Sequence, residues 1–257
     1  MSALTQTALL TARQARQGMR IPVFMVMNLV QPMIWLLLFG QLFRSVVRIP
    51  GFAGGTGASY LEFLTPGVVM MTAMGGAAWA GTTFIQDSDR GVMDRFLAAP
   101  TSRGALLSST MAWYAALGAA QALVVVAVAW LCGARFPGGV AGVLVVLVAT
   151  ALLSCLFAAF SGAVALVTRQ QEALIGLSQL LVLPLMFLSS AVMDPSLAPD
   201  WIAAAARFNP FDWAVVAARD ALAGVTDPGL VWSRLGLLVV AVVAMASLAL
   251  TAFRRRD

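Results

Sequence analysis

Apolar runs of roughly 20 residues recur along this chain, each long enough to cross a bilayer core as a helix. Backbone inside hydrocarbon must satisfy its own polar groups, and a helix does so within one segment. Six spans can be drawn, at 22–43, 61–85, 104–131, 140–168, 173–191 and 235–253. Of 257 residues, 61% are hydrophobic and 11% charged, against about 25% charged in soluble domains. Little chain is left for a separate soluble unit. The expected fold class is therefore all-α: a polytopic membrane protein of one domain over 1–257, with six transmembrane helices. No cleavable signal is expected, because the first 20 residues lack a continuous apolar core and carry Arg13, Arg16 and Arg20.

Every one of the 16 basic residues is Arg. With both termini cytoplasmic, the inner side holds ten of them, namely Arg13, Arg16, Arg20, Arg90, Arg95, Arg103, Arg169, Arg254, Arg255 and Arg256. The outer side holds Arg44, Arg48, Arg135, Arg207, Arg219 and Arg234. The cluster directly after the last span fits this orientation. The net charge of +5 thus reads as topology, and no nucleic-acid partner is expected.

Absences narrow the chemistry. Without His, imidazole acid–base catalysis and His-ligated metals are excluded. Without Lys, neither a phosphate-binding G-x-x-x-x-G-K-[ST] loop nor Schiff-base catalysis is possible. Cys132 and Cys155 sit in or beside separate apolar runs and cannot build a four-ligand metal site. An intramembrane enzyme would need clustered acids or a nucleophile with its base, which this pattern does not offer. A secondary carrier would need inverted repeats and a midplane polar site, and neither is evident.

Three polar stretches remain. Residues 1–21 place Leu4, Ala8, Ala12, Ala15 and Met19 at helical spacing beside an arginine stripe, which predicts an interfacial helix. Residues 192–224 mix Pro, Trp and Phe with acids, predicting an external re-entrant region. Short helices are expected there at 203–207 and 214–223, with Asn209-Pro210 as the turn and Gly224 as a stop. Residues 86–103 pack three Asp and three Arg into nearly uncharged chain. At a helical period Val92, Met93, Phe96 and Leu97 share a face, Pro100 stops the helix and Ser102 caps the next one. A short amphipathic helix of this kind suits docking on another protein. Within the spans, the small residues of 73–81 suit close helix packing.

Taken together, these features resemble the type-2 ABC export permeases. The best-matching positions are Asp87, Arg90, Gly91, Asp94, Arg95, Leu97, Pro100, Ser102 and Arg103, with Asn209, Pro210 and Arg219 as a second match. Ala78–Gly81 and Asp94–Pro100 look most similar to the daunorubicin-resistance branch of drug exporters. Asp87 and Asp94 depart from the Glu often found in the family. The resemblance implies a non-enzymatic permease subunit, without cofactor, that pairs as a homodimer or heterodimer in a bacterial inner membrane. Two copies of a separate ABC ATPase would bind the ATP. The coupling interface would comprise Asp87, Asp89, Arg90, Gly91, Val92, Met93, Asp94, Arg95, Phe96, Leu97, Pro100 and Arg103. The cargo expected from the apolar interior is an amphipathic drug, antibiotic or lipid-like molecule, with a glycolipid or lipid-linked polysaccharide as the alternative.

Overall fold

The computed structural model describes residues 3–20, 22–43, 59–92, 102–191, 199–224 and 228–254. All regular structure among them is helical. In chain order the helices are α1 (Ala3–Met19), α2 (Pro22–Leu42), α3 (Tyr60–Ala78), α4 (Thr82–Asp89) and α5 (Arg103–Leu131). They continue with α6 (Gly139–Thr168), α7 (Gln171–Phe187), α8 (Asp200–Ala206), α9 (Pro210–Ala223) and α10 (Pro228–Arg254).

Among the described residues, four stretches are long and apolar enough to cross a membrane: Tyr60–Asp89, Gly104–Leu131, Gly139–Thr168 and Gly229–Ala252. Val26–Leu42 and Gln171–Phe187 are apolar but shorter. The last helix begins at Pro228, seven residues ahead of the expected 235, while α7 ends at Phe187 rather than 191.

Helix α6 is the hub, packing against α3, α5, α9 and α10. Its protein-facing residues Val146, Ala149, Leu153 and Phe157 are buried at helical spacing with Val68, Met70 and Phe211 of its neighbours. The opposite face of many helices remains apolar and exposed, as at Val140, Leu144, Val148 and Val243. That is the pattern of helices solvated by lipid rather than water.

Capping fixes several boundaries. Ser59 and Glu62 form a reciprocal capping box on α3. Ser102 accepts the Ala105 N–H at 3.1 Å and starts α5 as the sequence predicts. Asn209 is not a turn residue but the N-cap of α9, accepting the Phe211 N–H at 2.9 Å with Pro210 as first helical residue. Helix α9 therefore starts four residues before the expected 214, and α8 runs from Asp200 to Ala206 rather than 203–207.

Helix α1 lies along α5. The expected stripe faces outward, since Leu4 and Met19 are 82% and 61% exposed. The side facing the protein carries Leu10, packed against a buried cluster, together with the polar Gln6 and Gln14. Gln14 donates to the Thr110 hydroxyl at 2.8 Å, and the Gln6 side chain accepts the Ser102 N–H at 3.1 Å. An apolar stripe turned away from the protein is what an interfacial helix presents to lipid.

Candidate functional site

The second apolar stretch is one helix in two pieces. Helix α3 ends at Ala78, and α4 resumes at Thr82 and carries the chain out to Asp89. At the break, the Ala78 carbonyl loses its helical partner and accepts two hydroxyls instead. Ser161 of α6 donates at 2.7 Å and Ser178 of α7 at 3.1 Å. Ser161 also accepts the Gly81 N–H at 2.8 Å. A Cβ at Gly81 would collide with the Ser161 carbonyl oxygen, so this contact requires glycine. The orphaned backbone groups of the break are thus satisfied by neighbouring helices.

Just beside the break lies a cavity of about 430 Å³ between α2, α3 and α7. Asn28, Gln31 and Gln179 place amides in it, and Trp35, Trp79, Met71 and Met186 supply apolar wall. Its lining holds no ionisable side chain. Gly75 and Gly76 open onto this space, with no close neighbour to a Cβ at Gly75. The expected packing role therefore falls to Gly81 and to the buried Ala73, Ala77 and Ala78, while Gly75 and Gly76 shape the cavity.

Beyond the break, Asp87 accepts both terminal nitrogens of Arg13 at 2.9 and 3.0 Å. The carboxylate read as part of a docking face is thus held by the N-terminal helix. Asp89 ends α4, and the backbone turns through Arg90 and Gly91, the latter at φ 65. The expected amphipathic helix is consequently not continuous with α4. Val92 resumes helical geometry. Met93, Asp94, Arg95, Phe96, Leu97 and Pro100 lie outside the described residues, as does the side chain of Arg103. Asp89 and Ser88 face Arg169 across a cleft of about 160 Å³ between α4 and the end of α6.

A second polar cluster sits at the opposite end of α3. Asn209 donates to the carbonyls of Leu185 and Leu188 at 2.6 and 2.8 Å, satisfying the end of α7 that Pro184 interrupts. Asp212 accepts the Ser190 N–H at 2.7 Å, and Arg219 donates to the Ser190 carbonyl at 2.6 Å. These two side chains are seven residues apart, two turns along one face of α9. Arg219 also donates to the Phe63 carbonyl at 3.3 Å, and its guanidinium carbon stands 3.9 Å from the Phe63 ring centroid. On the same side Glu62 accepts the Arg135 N–H at 2.7 Å, joining α3 to the α5–α6 connection. Of the second matched set, Asn209 and Arg219 therefore converge on the chain after α7, and Pro210 sets the helix that carries them. Asp212, Ser161, Ser178 and the cavity amides were not singled out from sequence. Isolated Ser, Asn and Gln inside apolar runs are the signal that marks them.

A family description, ABC-2 type transporter, matches residues 5–223. The daunorubicin resistance ABC transporter permease protein DrrB1 of Streptomyces coeruleorubidus is 32% identical over 222 residues, covering 82% of this chain and 73% of the relative. The provisionally named transport permeases ycf38 of Cyanophora paradoxa and Porphyra purpurea are 28% and 26% identical, covering 76% and 82% of this chain. They are themselves covered over 67% and 71% of their lengths.

Proposed function

The chain belongs to the ABC-2 type transporter family, and from that premise we propose that it is the membrane subunit of an ATP-driven exporter of amphipathic drugs, antibiotics or lipid-like molecules. The similarity to a daunorubicin resistance permease supports that substrate class. The observation that carries the proposal is the break between α3 and α4. It lies beside an uncharged, amide-dotted cavity, and α4 leads from it toward the charged 86–103 segment.

In this reading two copies of a separate ABC ATPase bind and hydrolyse the nucleotide, and this chain needs no cofactor of its own. The permease acts as a homodimer or heterodimer in a bacterial inner membrane. Helices α2 and α7 complete six spans, and both termini are cytoplasmic. The segment from Asp87 to Arg103 couples to the ATPase, with Phe96 and Leu97 as its apolar seat and Arg90, Asp94 and Arg95 setting register. Arg13 holds the root of that segment through Asp87. Movement of the seated segment would pass along α4, pivot at Ala78–Gly81 and reshape the cavity beside Trp79. Asn209, Asp212 and Arg219 would keep the external end of the bundle closed while this happens. A proton-coupled carrier is disfavoured because coupling needs a titrating group at membrane depth, and the cavity lining offers none.

The test is transport by the chain reconstituted with its ATPase. Export of an amphipathic dye into or out of vesicles should require ATP and persist when the proton gradient is collapsed. Transport that follows the gradient without ATP would refute the proposal.

A further inference from the structure

The α5–α6 hairpin carries a second concave surface that the transport reading does not use. It is an apolar groove of about 640 Å³, within the range of roughly 300–1,000 Å³ typical of small-molecule sites. Leu123 and Trp130 form one wall from α5, while Phe136, Val140 and Val143 form the other. Among the described residues, all those lining it come from the hairpin and its short connection, so the groove faces away from the other described helices. Both helices end beside it after 29 and 30 residues, which puts its upper rim at a membrane face. Trp130 at that rim, 56% exposed, matches the headgroup-level placement of membrane tryptophans.

The rim carries a cation. Arg135 lines the groove, and among the described residues its guanidinium has no carboxylate within ion-pairing distance. The nearby Glu62 carboxylate is engaged with the Ser59 and Arg135 backbone N–H groups, which fixes the connection that carries Arg135. The first turn of α6, with Gly139 and Val140 on the groove wall, adds the partial positive charge of a helix N-terminus. An apolar trough that ends beside an exposed arginine, its backbone anchored by Glu62, matches one ligand in both parts.

We propose that the groove between Trp130 and Val140 binds an anionic phospholipid, with one acyl chain along the trough and the phosphate on Arg135. The site is lateral to the cavity of α2, α3 and α7, so its occupant is a resident lipid of the hairpin and not the transported molecule. Zwitterionic lipids fill the trough but lack the net charge that Arg135 selects.

The experiment uses the full chain in phosphatidylcholine nanodiscs, titrated with phosphatidylglycerol or phosphatidylcholine brominated on the acyl chain. Trp130 quenching is isolated as the difference between the native protein and Trp130→Phe. Half-quenching of Trp130 should need a mole fraction of brominated phosphatidylglycerol about fivefold lower than of phosphatidylcholine, the effect of one basic residue near an anionic lipid. Arg135→Gln should abolish that preference while leaving quenching by phosphatidylcholine unchanged, and Arg135→Lys should keep most of it. Equal quenching by the two lipids in the native protein overturns the proposal, as does an Arg135→Gln variant that still prefers phosphatidylglycerol. Absence of any Trp130-dependent quenching overturns the groove itself.

Discussion

Arg13 and Asp87 meet in a two-pronged ion pair at 2.9 and 3.0 Å, across 74 residues of sequence. It joins the N-terminal helix to the last turn of α4. Asp87 is only 13% exposed, so the pair should count for more than a solvent-facing bridge. Arg13→Ala or Asp87→Ala should each lower stability by roughly 1.5–3 kcal/mol, the range for hydrogen bonds to charged groups. The reversed pair Arg13→Asp with Asp87→Arg should recover part of that loss in a double-mutant cycle of thermal unfolding in detergent. Additive losses would show that the pair is not coupled.

The helix break at Ala78–Gly81 makes an ordered prediction. Ser161→Ala leaves the Gly81 N–H without its partner and removes one of two donors to Ala78. Ser178→Ala removes only the other donor. The first should cost about 1–3 kcal/mol, as for an unsatisfied buried group, and the second about 0.5–1.5 kcal/mol. Gly81→Ala should be the most damaging of the three, because its methyl group meets the Ser161 backbone. Thermal stability and transport measured together on the three variants check the order.

At the opposite end, Arg219 and Asp212 grip the two sides of the Ser190 peptide. Lysine cannot reproduce a planar guanidinium that stacks on Phe63 while donating to two carbonyls. Arg219→Lys should therefore fall well short of wild type, losing about 1–3 kcal/mol. Asn209→Ala should lose about 1 kcal/mol for the missing cap, and more for the Leu185 and Leu188 carbonyls. Restored stability in Arg219→Lys would contradict the stacked, two-carbonyl geometry.

How much of this was readable in advance depended on sequence distance. Ser102 and Gly224 were found because a cap acts within a few residues of itself. Asn209-Pro210 was located but misread, since the same dipeptide can make a turn or open a helix. Four of the six expected spans were legible because bilayer thickness sets their length, while α2 and α7 are apolar but shorter. Asp87 looked like a docking residue because its charge stands in an apolar chain. Its partner lies on α1, and nothing near position 87 announces it. The Ser161 and Ser178 hydroxyls reach Ala78 from 83 and 100 residues away, so only the packed helices bring them together. For Gly75, Gly76 and Gly81 the composition is the same and the surroundings differ. Space opens beside the first two, and backbone crowds the third.

Orientation can be checked independently. The ten inner arginines predict that reporters fused after Asp257 are active only when they require the cytoplasm. Activity of an export-dependent reporter at that position would invert the assignment.

The most direct test concerns the segment that would receive the ATPase. Phe96→Ala removes an aromatic worth about 3–5 kcal/mol when buried in a core, and less at an interface rim. Asp94→Arg places a third positive charge beside Arg90 and Arg95. Both changes lie between helices α4 and α5, so the chain should still insert and retain its thermal stability. The measurement is co-purification of each variant with the ATPase subunit, with ATP-dependent export followed in the same preparation. Both variants should lose the complex or the export while remaining folded. Unchanged complex yield together with unchanged export in both would place the coupling site elsewhere.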